Sequence, residues 1–202
     1  MKKHDIDQKS EAWHFLRKGK ITGTTLKSIM GTPKIRQDAL YGIIAERLTV
    51  GADNDEENAM DRGNRLEPDA IAMFELETGK QVERIGLVED DDNPMMANSP
   101  DGLIGGDEAL EVKCLGGKNH VKMWLTNKVP DEYEWQVVQY FVVNKELKKL
   151  YFVGYNPDIP AHPLHIIEVS GEDIEKEIRD AREEQGKFLK EVDTALSTIV
   201  KL

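Results

Sequence analysis

The chain has 202 residues, 39% hydrophobic and 32% charged, the composition of a globular protein large enough to hide about 70% of its unfolded surface. One cysteine, Cys114, excludes a disulfide framework and a Cys-rich zinc ribbon; no apolar run approaches the roughly 20 residues of a membrane span, and the polar start MKKHDIDQKS lacks a secretory h-region, so a cytoplasmic protein is expected. The net charge of -11 is uneven: residues 1–50 carry ten Lys/Arg against five Asp/Glu, and residues 51–110 carry four against seventeen. Overall acidity therefore does not decide the partner, because contacts depend on local charge.

In chain order, Ser10 is a helix cap before Trp13, Leu16 and Arg17, and Gly19 ends that helix. ITGTTLKSIMG opens a second short helix at a Thr-rich turn, and Leu40, Ile43, Ile44, Arg47 and Leu48 keep helical spacing. GADNDEEN reads as a polar loop before a longer helix from about Met60 to Glu77, stopped at Gly79. Strands are expected at Gln81–Glu89, Met95–Ser99, Leu103–Ile104 and Ala109–Cys114, with turns at DDDNP, PDG and GGDE. Helices near Asn119–Thr126 and Glu132–Val143, strands at Leu150–Tyr155 and His165–Val169, and a long charged helix from Gly171 complete the chain. No repeat or linker divides it. The order indicates one α/β domain around a mixed central sheet: a helical region over 1–50, a core over 60–170 and a terminal helix over 171–202.

The stretch NSPDGLIGGDEALEVKC carries the clearest chemistry. Asp101 sits in a Pro-Asp-Gly turn, and ten residues on Glu111 and Lys113 flank Val112 in a short strand. Alternation puts Glu111 and Lys113 on one face and Val112 on the other. If Gly105 and Gly106 turn the chain back, Asp101 meets Glu111. Two carboxylates, with a backbone carbonyl such as that of Val112, can then hold Mg2+ and leave room for water and a phosphate oxygen. Lys113 can orient or deprotonate that water, which is the chemistry of phosphodiester hydrolysis. A PDG turn or a surface E-V-K ion pair alone is commonplace; both in this order and spacing are not.

Pro100-Asp101 followed by Glu111-Val112-Lys113 resembles the PD-(D/E)XK nuclease superfamily. EAWHFLRKGKITGTT, MDRGNRLEPDAIAMFELETG, SPDGL, LEVKC and YEWQVVQY stand in the order found in its lambda exonuclease and YqaJ viral recombinase family. The resemblance implies a restriction-endonuclease-like α/β core with an N-terminal helical region. It further implies a Mg2+-dependent 5′→3′ exonuclease, in which Mn2+ can substitute, that frees 5′-mononucleotides from double-stranded DNA ends and leaves 3′ overhangs for recombination by strand annealing.

Residue by residue, the resemblance makes Glu67 the helical acid that completes the metal site with Asp101, Glu111 and Val112. Gln136 becomes the glutamine that positions the water, although Gln139 lies near the same helix face. Arg17 and Thr24 become the ligands of the 5′-terminal phosphate, with Thr24 where relatives commonly carry Ser. The implied partners are a single-strand annealing protein and further copies of the chain in a trimer, in the bacterial host of a phage or prophage. Two alternatives use the same residues: a structure- or sequence-specific endonuclease, and a DNA-binding module without catalysis. Trp13 reads as core and Cys114 as a small buried residue. His162 and His165, around Pro163, lack a third ligand for zinc. Glu89–Asp92 lacks the spacing of an EF-hand, and no Walker loop is present.

Overall fold

The computed structural model describes residues 1–48 and 60–200; the GADNDEEN stretch lies outside them. The chain begins with β1 (Lys2–His4), α1 (Glu11–Arg17), α2 (Gly23–Ile29) and α3 (Pro33–Leu48). It continues with α4 (Met60–Thr78), β2 (Leu87–Glu89), β3 (Ala97–Asn98), β4 (Gly102–Ile104) and β5 (Glu108–Cys114). It closes with α5 (Gly117–Thr126), α6 (Glu134–Val143), β6 (Lys149–Tyr155), β7 (Leu164–Ser170) and α7 (Glu175–Val200). The Ser10 cap forms as expected, its hydroxyl accepting from the Trp13 N–H at 3.2 Å.

The strands form two sheets, β1-β2-β3 and β4-β5-β6-β7. In the second, β5 and β6 are parallel, while β4 and β7 are antiparallel at the edges. A parallel pair needs a crossover, and α5 with α6 supplies it. The expected strand over Gln81–Glu89 is regular only at Leu87–Glu89, with Glu83 making a single bridge to Leu103. β1 pairs antiparallel with β2 although its sequence, KKH, has no apolar alternation.

Strand alternation divides the four-stranded sheet between two cores. Leu110, Val112, Tyr151 and Val153 face α4, meeting Ala70, Ile71 and Phe74. Ala109, Leu150 and Phe152 face the other way, into the cluster that holds α2, α6 and α7. α6 is buried along its whole length from Val137 to Val143, so polar groups on it are aimed inward. Among the described residues no helix is long and apolar enough to cross a membrane.

Candidate active site

The β4–β5 register pairs Gly102 with Leu110 and Leu103 with Ala109. One step past the last pair, Asp101 therefore stands across from Glu111. The Val112 N–H donates to Asp101 Oδ2 at 2.7 Å. In a strand the N–H and C=O of one residue point to the same edge, so the Val112 carbonyl faces the same space beyond the start of β4.

Alternation sends Glu111 and Lys113 to the α6 face, where they form an ion pair. Glu111 is 1% exposed. Its other partners come from α6, one turn apart: Gln136 Nε2 donates to Glu111 Oε1 at 2.6 Å, and the Tyr140 hydroxyl donates to Glu111 Oε2. Gln139 turns elsewhere, its amide bonding the Ile21 and Ala97 carbonyls and Gln185 in the core. Tyr140 has no role in the sequence reading; its spacing of four from Gln136 is the signal that it shares the face turned to Glu111.

Glu67, on α4, reaches the site from the opposite layer and pairs with Arg84 at 2.5 Å. Both line a cleft of about 310 Å3 that opens on Pro100 and Asp101 and is closed on one side by residues 5–9. Burial, then the charges of Glu111 and Glu67, push the Asp101 carboxyl well above the ordinary carboxylate range, against Lys113 and the Val112 N–H. Burial works to lower the Lys113 ammonium, but Glu111 and Asp101 outweigh it, and Lys113 is held above its usual value as a cation. Burial and the same two carboxylates raise the Tyr140 phenol, keeping it a proton donor.

Among the described residues no three His, Cys, Asp or Glu side chains converge as a ready-made metal cage. What converges is Asp101, Glu111 and the Val112 carbonyl, an oxygen-only set with surplus negative charge. A hard cation that keeps most of its waters needs only one or two carboxylates, so these residues fit such an ion.

At the N-terminal side, the Arg17 guanidinium donates to the Thr22 and Thr24 hydroxyls at 3.3 and 3.4 Å and lies over the Trp13 ring. Trp13 is buried, its indole N–H donating to Gly86 O at 2.9 Å. α2 abuts α6 closely: a Cβ on Gly23 would stand 2.9 Å from Gln136 Cγ and 3.1 Å from its Cα. Cys114 points to the α4 side, its Sγ 3.7 Å from the Gly63 carbonyl oxygen.

The model of the YqaJ-like viral recombinase domain matches residues 12–146, the span that contains every site residue expected from the sequence. The chain belongs to that family. The YqaJ-type chain is also similar to a crystal structure of the alkaline exonuclease LHK-Exo from Laribacter hongkongensis: TM-score 0.87, 27% identity, 95% of this chain and 97% of that one covered. A second structure, LHK-Exo in complex with dAMP, gives 0.82 at 26% identity over 95% and 99%. A phage-related exonuclease from Haemophilus somnus 129PT shares the fold at TM-score 0.61 and 13% identity, over 89% and 96%. No curated protein matches significantly. The mixed four-stranded sheet between helices is thus the PD-(D/E)XK architecture that the resemblance implies.

Proposed function

We propose that this YqaJ-family protein is a Mg2+-dependent exonuclease that digests double-stranded DNA ends 5′→3′, releasing 5′-mononucleotides and leaving 3′ overhangs for strand annealing, with Mn2+ able to substitute. The observation that carries the reading is the meeting of Asp101, Glu111 and Lys113 with Gln136 around a negatively charged opening. Support also comes from LHK-Exo, an alkaline exonuclease with a structure in complex with dAMP, a nucleotide of the kind such a reaction frees.

Asp101, Glu111 and the Val112 carbonyl would hold the metal, with Glu67 behind them through water or a second ion. Bound there, magnesium supplies charge to the phosphoryl transition state and a more acidic water. Tyr140 pins one Glu111 oxygen, and Gln136 the other, so the carboxylate enters the reaction already oriented. Lys113, a cation in this environment, is suited to steady the attacking water and the developing phosphate charge rather than to begin as a base. Arg17 with Thr24 takes the 5′-terminal phosphate as a charge-assisted contact. A homotrimer around the duplex, an annealing protein that receives the overhang, and action in the bacterial cytoplasm complete the proposal by family analogy.

Linear duplexes labelled at either end, with and without a 5′ phosphate, and a closed circle, digested in Mg2+ and in chelator, test it. Loss of 5′ label as mononucleotides, slower digestion of dephosphorylated ends, an intact circle and no turnover in chelator are expected. Cutting of the circle would make the protein an endonuclease; binding of ends without any hydrolysis would make it a non-catalytic module.

A further inference from the structure

Two histidines unused by this chemistry, His162 and His165, lie close to the catalytic row. The register aligns Lys113 with Gly154 on β6 and Gly154 with His165 on β7. Residues in one such row share a face, and two strand spacings put His165 about 10 Å from Lys113. Gly154, between them, presents no side chain. Met123 of α5 fills the gap: a Cβ there would stand 2.6 Å from its Sδ. α5 therefore lies across the active-site end of the sheet, on the face that carries Lys113.

The helix is anchored through His120 and Met123, each 1% exposed, and leaves large apolar groups in solvent: Trp124 is 40% and Leu125 72% exposed. The Trp124 ring packs against His162 at 4.7 Å and His165 at 6.2 Å. His165 is held in turn by Asn127 at 3.0 Å, the left-handed residue that ends α5. Residues 114–130 contain three lysines, Lys118, Lys122 and Lys128, and no acid, in a chain whose net charge is -11. No ion pair joins these lysines to a described residue, whereas Lys145, Lys148 and Lys149 are all paired.

A half-exposed aromatic cluster on a segment that carries three lysines and no acid fits a polyanion that offers π-faces. A base-paired duplex hides its base faces; a single strand presents them. We propose that the Trp124 face of α5 is a stacking platform for single-stranded DNA. His165, at the edge of that face, stands from Lys113 by about three stacked nucleotides at ~3.4 Å each. The location relative to cleavage rests on the deoxyribonuclease reading; the binding does not.

The test is titration of the full-length protein with oligo(dT) and with blunt duplex, metal-free, by anisotropy and tryptophan quenching. Trp124→Ala weakens oligo(dT) binding at least about fivefold, Trp124→Phe recovers most of it, and duplex affinity moves less. Replacing Lys118, Lys122 and Lys128 together by Gln lowers the salt slope of oligo(dT) binding by about two. Hydrolysis of thymidine 5′-(p-nitrophenyl phosphate), too small to reach the platform, stays at the wild-type rate. Unchanged oligo(dT) affinity in Trp124→Ala overturns the proposal. A drop in oligomer mass by light scattering at unchanged affinity also overturns it, placing the face between copies of the chain. Should Trp124→Ala fail to fold, the solvent-facing lysine triple decides alone. Wild-type protein that binds oligo(dT) as described but leaves the ester intact would remove the nuclease reading and leave the platform standing.

Discussion

Two buried carboxylates in this molecule meet opposite fates. Glu89, at the end of β2 and 4% exposed, is closed in by Lys20 Nζ at 2.8 Å and His4 Nε2 at 3.1 Å. Burial pulls its affinity for a proton up, but Lys20 and His4 outweigh it and hold the group below the ordinary carboxylate range. Asp101 lies beside Glu111 and Glu67, with Lys113 between the acids and Arg84 paired to Glu67, and it is pushed the opposite way. The first cluster balances its own charge and serves the fold. The second stays one positive charge short, the imbalance that the proposed metal would offset, as expected where a site rather than a strut is built from the same residue types.

Lys113→Ala tests the contrast most severely: turnover should fall on the order of 10^3–10^4-fold while DNA binding is largely retained, and a gel-based rate near wild type would remove Lys113 from the chemistry. At the other pole, Glu89→Gln should leave the nuclease centre intact but cost about 3–5 kcal/mol of stability, because Lys20 remains buried without its counter-charge; denaturant melts read this directly. Since Glu89 sits low when folded, its contribution is present at neutral pH and is lost as pH falls below the ordinary carboxylate range through its depressed value.

Tyr140→Phe removes the hydroxyl that pins Glu111 and also donates to the Leu110 carbonyl. About a 10- to 100-fold loss in kcat, with KM for DNA little changed, is expected of a positioning residue; a KM effect alone would assign Tyr140 to packing. The smallest effect has the unusual sign. Asp101→Asn keeps an acceptor for the Val112 N–H while deleting one repelling charge, so the metal-free protein should gain about 1 kcal/mol as its activity disappears. A loss of stability would show that Asp101 is a structural acid like Glu89.

Much of the site is legible because a strand's period fixes it. Glu-Val-Lys alternation put Glu111 and Lys113 on one side before any fold was known, and the turn chemistry around Pro100 and Gly105 placed Asp101 opposite. The helical contributions were harder to read. Gln136 and Gln139 differ by one 300° step around α6, and only the packing of α2 and α7 decides that Gln139 belongs to the core. Tyr140 was invisible for a related reason: in a helix buried on all sides, an aromatic residue looks apolar until its hydroxyl finds Glu111. β1 was missed because three residues carry no periodicity, and its pairing comes from a partner more than 80 positions away. Trp124 and His162 belong to segments that the fold, not the spacing, makes neighbours.

The missing side chain at Gly23 has a mechanical corollary. With α2 seated directly on Gln136, the wall that carries Thr24 and the wall that carries the glutamine meet in van der Waals contact. If the terminal phosphate rests on Arg17 and Thr24, the stride of digestion is gauged by van der Waals contact, like the fixed jaw of a caliper. A bulkier residue at position 23 would then alter the length of the fragment released, not merely the speed of its release.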